Sequence, residues 1–193
     1  MQKFKAVKGI IFDLDGTLLH SDLDFAWLRQ QLGCPHGEDI LTHINTLEGE
    51  HQRQANQLVK QHEIDDALNA KWIDGAQGFV TKLLASGMPT AIVTRNCREA
   101  TNIKLTNNNV PIDMVITRED GPAKPDPATL LSIQKQWQMP SSQLAYIGDY
   151  LYDVQAAINA GMVSCLFAPQ TLPDYAELAD IVFADYEELA EML

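Results

Sequence analysis

Two aspartates, Asp13 and Asp15, end the apolar run Ile10-Ile11-Phe12, and Gly16-Thr17 follow at once. Buried carboxylates are costly unless cations or hydrogen-bond donors meet them, so the pair either closes a turn or holds something. Further along stand Thr94-Arg95-Asn96, the run Lys124-Pro125-Asp126-Pro127, and Gly148-Asp149 with Asp153 beyond it. Clustered carboxylates are stable around a hard cation, and oxygen-only ligands favour Mg2+, which typically shares its sphere with a substrate phosphate. One carboxylate can attack phosphorus to give an aspartyl phosphate. A second, two residues on, can protonate the leaving oxygen and later deprotonate water, provided that the adjacent charge raises its pKa. A lysine and a hydroxyl would neutralise the phosphoryl oxygens.

For these residues to meet, the chain must bring them to one edge. Strand-like runs recur at Thr90–Thr94, Asp113–Thr117, Leu144–Gly148, Val163–Phe167 and Ile181–Phe183, with helical patterns over 76–86, 97–108, 127–138, 151–160 and 185–192. That alternation predicts an α/β fold: a Rossmann-like, doubly wound parallel sheet covered on both faces. Sites in such sheets lie beyond the C-terminal ends of the strands, where Asp13, Asp15, Thr94 and Asp149 fall. Pro125 biases Lys124 toward an extended conformation, and Asp126 with Pro127 is expected to cap and start the next helix.

Residues 20–74 break the rhythm. They hold no strand-like run but three amphipathic faces: Phe25, Leu28 and Leu32; Ile40, Ile44 and Leu47; Ala55, Leu58 and Val59. A helical insertion is expected there, leaving 1–19 and 75–193 to the α/β core.

The motif Asp13-Leu-Asp15-Gly16-Thr17 resembles the first motif of the haloacid dehalogenase superfamily. Thr94, Lys124 in Lys-Pro-Asp-Pro, and Gly148-Asp149-x-x-x-Asp153 resemble its other motifs, in order over most of the chain. The insertion stands where phosphoglycolate-phosphatase-like members carry a helical cap domain. The resemblance implies a Mg2+-dependent phosphatase acting on a small phosphorylated metabolite, with Asp13 as nucleophile and Asp15 as acid/base. It further implies that Thr94 binds a phosphoryl oxygen and that Lys124 stabilises nucleophile and phosphate. Mg2+ would be held by the Asp13 carboxylate, the Asp15 carbonyl, Asp149, and Asp153 through water. Arg95 and Asn96 are further candidate substrate contacts. Arg95 stands where a small or amide residue is common in the family, and His20 where Asp often stands.

Rival readings of the same residues divide on single features. A dehalogenase of this family is expected to lack the acid at position 15. A phosphomutase shares every motif and returns the phosphoryl group to its sugar. A phosphate-accepting signalling module has no reason to carry a cap over its site.

The composition sets bounds on partners. Fourteen basic residues against 26 acidic give a net charge of −12, which argues against nucleic-acid binding. No apolar run approaches the length of a membrane span and no leader is recognised before Ile10. Three cysteines without a CxxC spacing fit a reduced, cytoplasmic protein. All five histidines fall in the insertion; no pair has a recognised metal-ligand spacing, and solvated faces are expected.

Overall fold

The computed structural model describes residues 4–192, so the outermost residues of the expected core lie outside it. Six parallel strands form one sheet in the order β3-β2-β1-β4-β5-β6. They are β1 (Gly9–Phe12), β2 (Thr90–Val93), β3 (Met114–Ile116), β4 (Leu144–Gly148), β5 (Val163–Phe167) and β6 (Ile181–Phe183). From β1 the chain builds outward through β2 and β3, then returns to the other side of β1 for β4 to β6. The order therefore reverses between β1 and β4, where Phe12 pairs with Ile147, and a crevice opens at such a reversal.

Side chains alternate across the sheet with period two. Ile10 and Phe12 enter one apolar layer with Ile92 and Ile147, and Ile11 enters the opposite layer with Ala91, Val93 and Tyr146. Helices α4 (Ala76–Ala85) and α8 (Tyr186–Ala190) cover the first layer, α6 (Ala128–Trp137) and α7 (Leu151–Ala160) the second. All four residues of β1 are buried, as a central strand covered on both faces must be.

Between β1 and α4 lie α1 (Phe25–Leu32), α2 (Ile40–Thr46) and α3 (Gly49–Ala67). Asp24 and Asp39 cap the first two, each accepting a hydrogen bond from the backbone three residues on, which satisfies a donor that the helix leaves free. Leu28, Ile40, Ile44, Ala55 and Val59 form a separate apolar cluster. Phe25 departs from the expected face: it is 58% exposed. The stretches of chain entering and leaving this segment lie side by side. His20 N–H donates to the Lys71 carbonyl (2.8 Å), Ile73 N–H to that of Leu18 (2.9 Å), and Leu19 bridges Trp72 in antiparallel sense.

Helix ends differ slightly from expectation. Helix α5 (Arg98–Asn107) begins one residue late because Cys97 is its cap. Helix α6 starts at Ala128, with Pro127 as cap. Asp126 sits one position further out, accepting from Ala128 N–H at 2.8 Å, a local turn that aspartate favours.

Candidate active site

A cavity of about 510 Å3 opens at the C-terminal edge of β1, β2 and β4, beneath the helical segment. All eight candidate residues read from the sequence line it: Asp13, Asp15, Thr94, Arg95, Asn96, Lys124, Asp149 and Asp153.

Asp13 follows β1 directly, its backbone N–H still donating to the Ile147 carbonyl at 2.8 Å. Its Oδ1 lies 2.8 Å from Lys124 Nζ. That ammonium, 4% exposed, also meets Asp153 Oδ1 at 2.6 Å and the Tyr146 hydroxyl at 2.8 Å. Three donors thus have three acceptors, which fixes the lysine's position. Asp153 is itself doubly engaged, because its Oδ2 accepts from Tyr150 N–H at the start of α7 (3.0 Å). Tyr146 had no signal in the sequence; it occupies a strand position that reads as core.

Carboxylates from β1, β4 and α7 converge. Oxygens of Asp13, Asp149 and Asp153 lie within 4.8 Å of one another. Burial, reinforced by the neighbouring acids and opposed by Lys124, pushes Asp13 up to about 7. Burial, with Asp13 and Asp153 adding to it, pushes Asp149 up to about 8. One lysine among three carboxylates leaves the cluster short of positive charge, and a donor set made only of oxygens suits a hard divalent cation. Thr17 donates to Asp149 Oδ1 (3.3 Å), and the buried Tyr186 hydroxyl holds the Thr17 carbonyl (2.8 Å).

Two glycines make this convergence possible. Gly16 has φ +69°, and a β-carbon there would lie 2.3 Å from Asp149 Oδ2. A β-carbon on Gly148 would lie 2.3 Å from that of Asp153.

Asp15 faces a different set of partners. Asn96 Nδ2 donates to its Oδ2 (2.5 Å), and Lys104 of α5 pairs with its Oδ1. Lys104 also reaches Asp66 Oδ2 of α3 at 2.6 Å. Burial nonetheless raises the Asp15 pKa above the ordinary carboxylate value, with Lys104 opposing. Burial disfavours the charge on Lys104, but Asp15 and Asp66 outweigh it and raise its pKa. The sequence held a faint sign of this lysine. Ala100, Lys104 and Asn108 recur at helical spacing on one buried face, and a lysine there needs a partner.

Thr94 is buried, and its Oγ1 accepts from Asn96 N–H (3.2 Å). Arg95 pairs with Asp39 at the start of α2, and its guanidinium lies 5.0 Å from the centre of the Tyr152 ring. Glu63 of α3 receives Cys97 N–H (3.0 Å) and pairs with Arg118. Burial pushes the Cys97 thiol up to about 11, so it stays protonated at neutral pH.

Of the histidines, His20, His36 and His51 are exposed as expected. His62 stacks on Trp27 with ring centres 5.2 Å apart. His43 lies with Cys34 and Glu38, all three donor atoms within 4.8 Å. Arg29 Nη1 contacts Cys34 Sγ at 3.4 Å, setting a cation against that group.

A family model described as haloacid dehalogenase-like hydrolase matches residues 10–167. The chain is 27% identical to a phosphoglycolate phosphatase of Yersinia pseudotuberculosis, over 83% of this chain and 81% of that protein. It is 30% identical to the pyrophosphatase PpaX of Bacillus velezensis, covering 81% of each. The fold is similar to the crystal structure of a hydrolase from Pseudomonas syringae, with a TM-score of 0.80, 20% identity, and coverage of 95% of this chain and 96% of that one.

Proposed function

The chain belongs to the haloacid dehalogenase-like hydrolases, in their phosphoglycolate-phosphatase-like subgroup, and from that premise we propose that it is a Mg2+-dependent phosphatase working through an aspartyl phosphate on Asp13. The observation that carries this reading is the meeting of Asp13, Lys124 and the Asp149–Asp153 pair in one cavity. We further read residues 20–74 as a cap domain over a core formed by 1–19 and 75–193.

The residues divide the labour. An Asp13 oxygen attacks phosphorus in line with the ester oxygen; the new Asp13–phosphorus bond forms as the ester bond breaks. Asp15, with its pKa raised by burial, gives its proton to the departing alcohol and then takes one from the water that cleaves the acyl phosphate. Inorganic phosphate and free Asp13 result. Lys124, beside Asp13, lends its charge to the phosphoryl group and the Thr94 hydroxyl meets a phosphoryl oxygen, while Asn96 fixes the Asp15 carboxylate.

Mg2+ would be held by Asp13, the Asp15 backbone carbonyl and Asp149, with Asp153 acting through water; bound there, it supplies positive charge for the phosphoryl oxygens. Asp153 suits an indirect role because both of its oxygens are already engaged.

The substrate is a small phosphorylated metabolite. The test is phosphate release by the full chain from a panel of such esters with Mg2+ and with chelator. Repeated turnover that stops on chelation supports the reading. A single phosphorylation without release, activity indifferent to chelator, or a requirement for a bisphosphate activator each overturns it in a distinct way.

A further inference from the structure

The cavity has two chemically different ends. One holds the carboxylates and Lys124. The other, formed by the helical segment, presents Leu23, Phe25, Leu28, Ile40, Leu41 and Val59. Phe25 is the telling member. A large aromatic ring that packing has not consumed, it lies 58% exposed on the cavity side of α1.

The charged groups at this far end already have partners, Arg95 and Glu63 an opposite charge and Arg29 neutral acceptors. Arg95 is paired with Asp39, both side chains largely buried (24% and 22% exposed), and its Cζ lies over the Tyr152 ring. Arg29 spends Nη1 on the Pro35 carbonyl (3.2 Å), the Glu38 carbonyl and Cys34 Sγ. Glu63 is neutralised by Arg118. A carboxylate brought here would lose water against apolar walls and meet only cations already engaged, a large cost. The net charge of −12 adds long-range repulsion, greatest for an ester that carries a carboxylate beside its phosphate.

Resting on the phosphatase reading above, we infer that the leaving group is an uncharged alcohol with an apolar or aromatic face, packed on Phe25, and that the Asp39–Arg95 pair excludes alcohols bearing a carboxylate. Specificity then comes as much from what the pocket refuses as from what it holds.

The test uses three esters with the full chain and Mg2+: benzyl phosphate, glycerol 1-phosphate and phosphoglycolate. The expected order of kcat/KM places benzyl phosphate first and phosphoglycolate last, at least tenfold apart. Phe25→Ala should shrink the benzyl-to-glycerol ratio at least fivefold, acting through KM. Asp39→Asn frees the Arg95 guanidinium and should raise the phosphoglycolate-to-glycerol ratio at least tenfold. Phosphoglycolate turned over as well as benzyl phosphate by the unaltered protein overturns the inference while leaving the phosphatase reading intact. Ratios unmoved by both substitutions also overturn it. Hydrolysis of none of the three, nor of p-nitrophenyl phosphate, overturns the phosphatase reading itself and the inference with it.

Discussion

Lys104 on α5 forms an ion pair with Asp15 at the end of β1, and the lysine side chain has no exposure to solvent. The same ammonium holds Asp66 of α3. One cation therefore links the proposed acid/base to the helical segment above it.

Removing that cation should be felt in both stability and chemistry. Lys104→Met removes the cation that Asp15 and Asp66 share, leaving them only hydrogen bonds, and should cost about 3 kcal/mol in denaturant unfolding. The variant that remains folded at low temperature should lose more activity on alkyl phosphates than on p-nitrophenyl phosphate. A poor leaving group needs the proton from Asp15, and a good one does not. Equal losses on both substrates would mean that Lys104 acts on stability alone.

Metal-free protein should weaken as pH rises. Asp13 and Asp149 sit at about 7 and about 8 in the folded chain, against an ordinary 3.8. A raised folded-state pKa contributes stability that is complete below the unfolded value and lost as pH passes through the folded one. The melting temperature in chelator should fall between about pH 4 and pH 8. Mg2+ competes with protons for the same oxygens, so the gain in Tm on adding it should be small near pH 5 and grow toward pH 8. A Tm gain independent of pH would remove these carboxylates from metal binding.

Gly148→Ala should damage the site without emptying the core. Its new methyl would overlap the Asp153 side chain, displacing the carboxylate that holds Lys124. A loss of about 10–100-fold in Mg2+ affinity or kcat is expected, read by Mg2+ titration of Tm and of phosphate release. Gly78 in α4 has open space around it, and Gly78→Ala should gain about 0.5–1 kcal/mol.

Asp13→Asn should abolish turnover while the protein still melts cooperatively. Acid quenching during turnover should reveal a phosphoryl adduct by intact mass in the unaltered protein and in Asp15→Asn, but none in Asp13→Asn. An adduct in Asp13→Asn would move the nucleophile elsewhere.

The parts of the molecule legible in the sequence are those with a local signature. Each strand is a short apolar run, and the strand-end position of Asp13, Thr94 and Asp149 follows from parallel-sheet geometry alone. The roles of the helical segment were not legible, because they rest on pairs that no local pattern announces. Lys104 meets Asp15 across 89 positions of sequence, Arg95 meets Asp39 across 56, and Arg118 meets Glu63 across 55. Phe25 illustrates the same limit: period 3.6 places it on an apolar face, but only the assembled cavity shows that the face borders open space rather than core.

The entry and exit of the helical segment cross together, tied by the His20–Lys71 and Ile73–Leu18 backbone bonds. Away from that crossing the segment is fastened to the core by Lys104–Asp66, Arg118–Glu63 and Arg95–Asp39, so a swing about the crossing would have to break those pairs. If substrate entry and alcohol release both depend on breaking them, the rate of that opening sets a ceiling on kcat that no refinement of the carboxylates can raise.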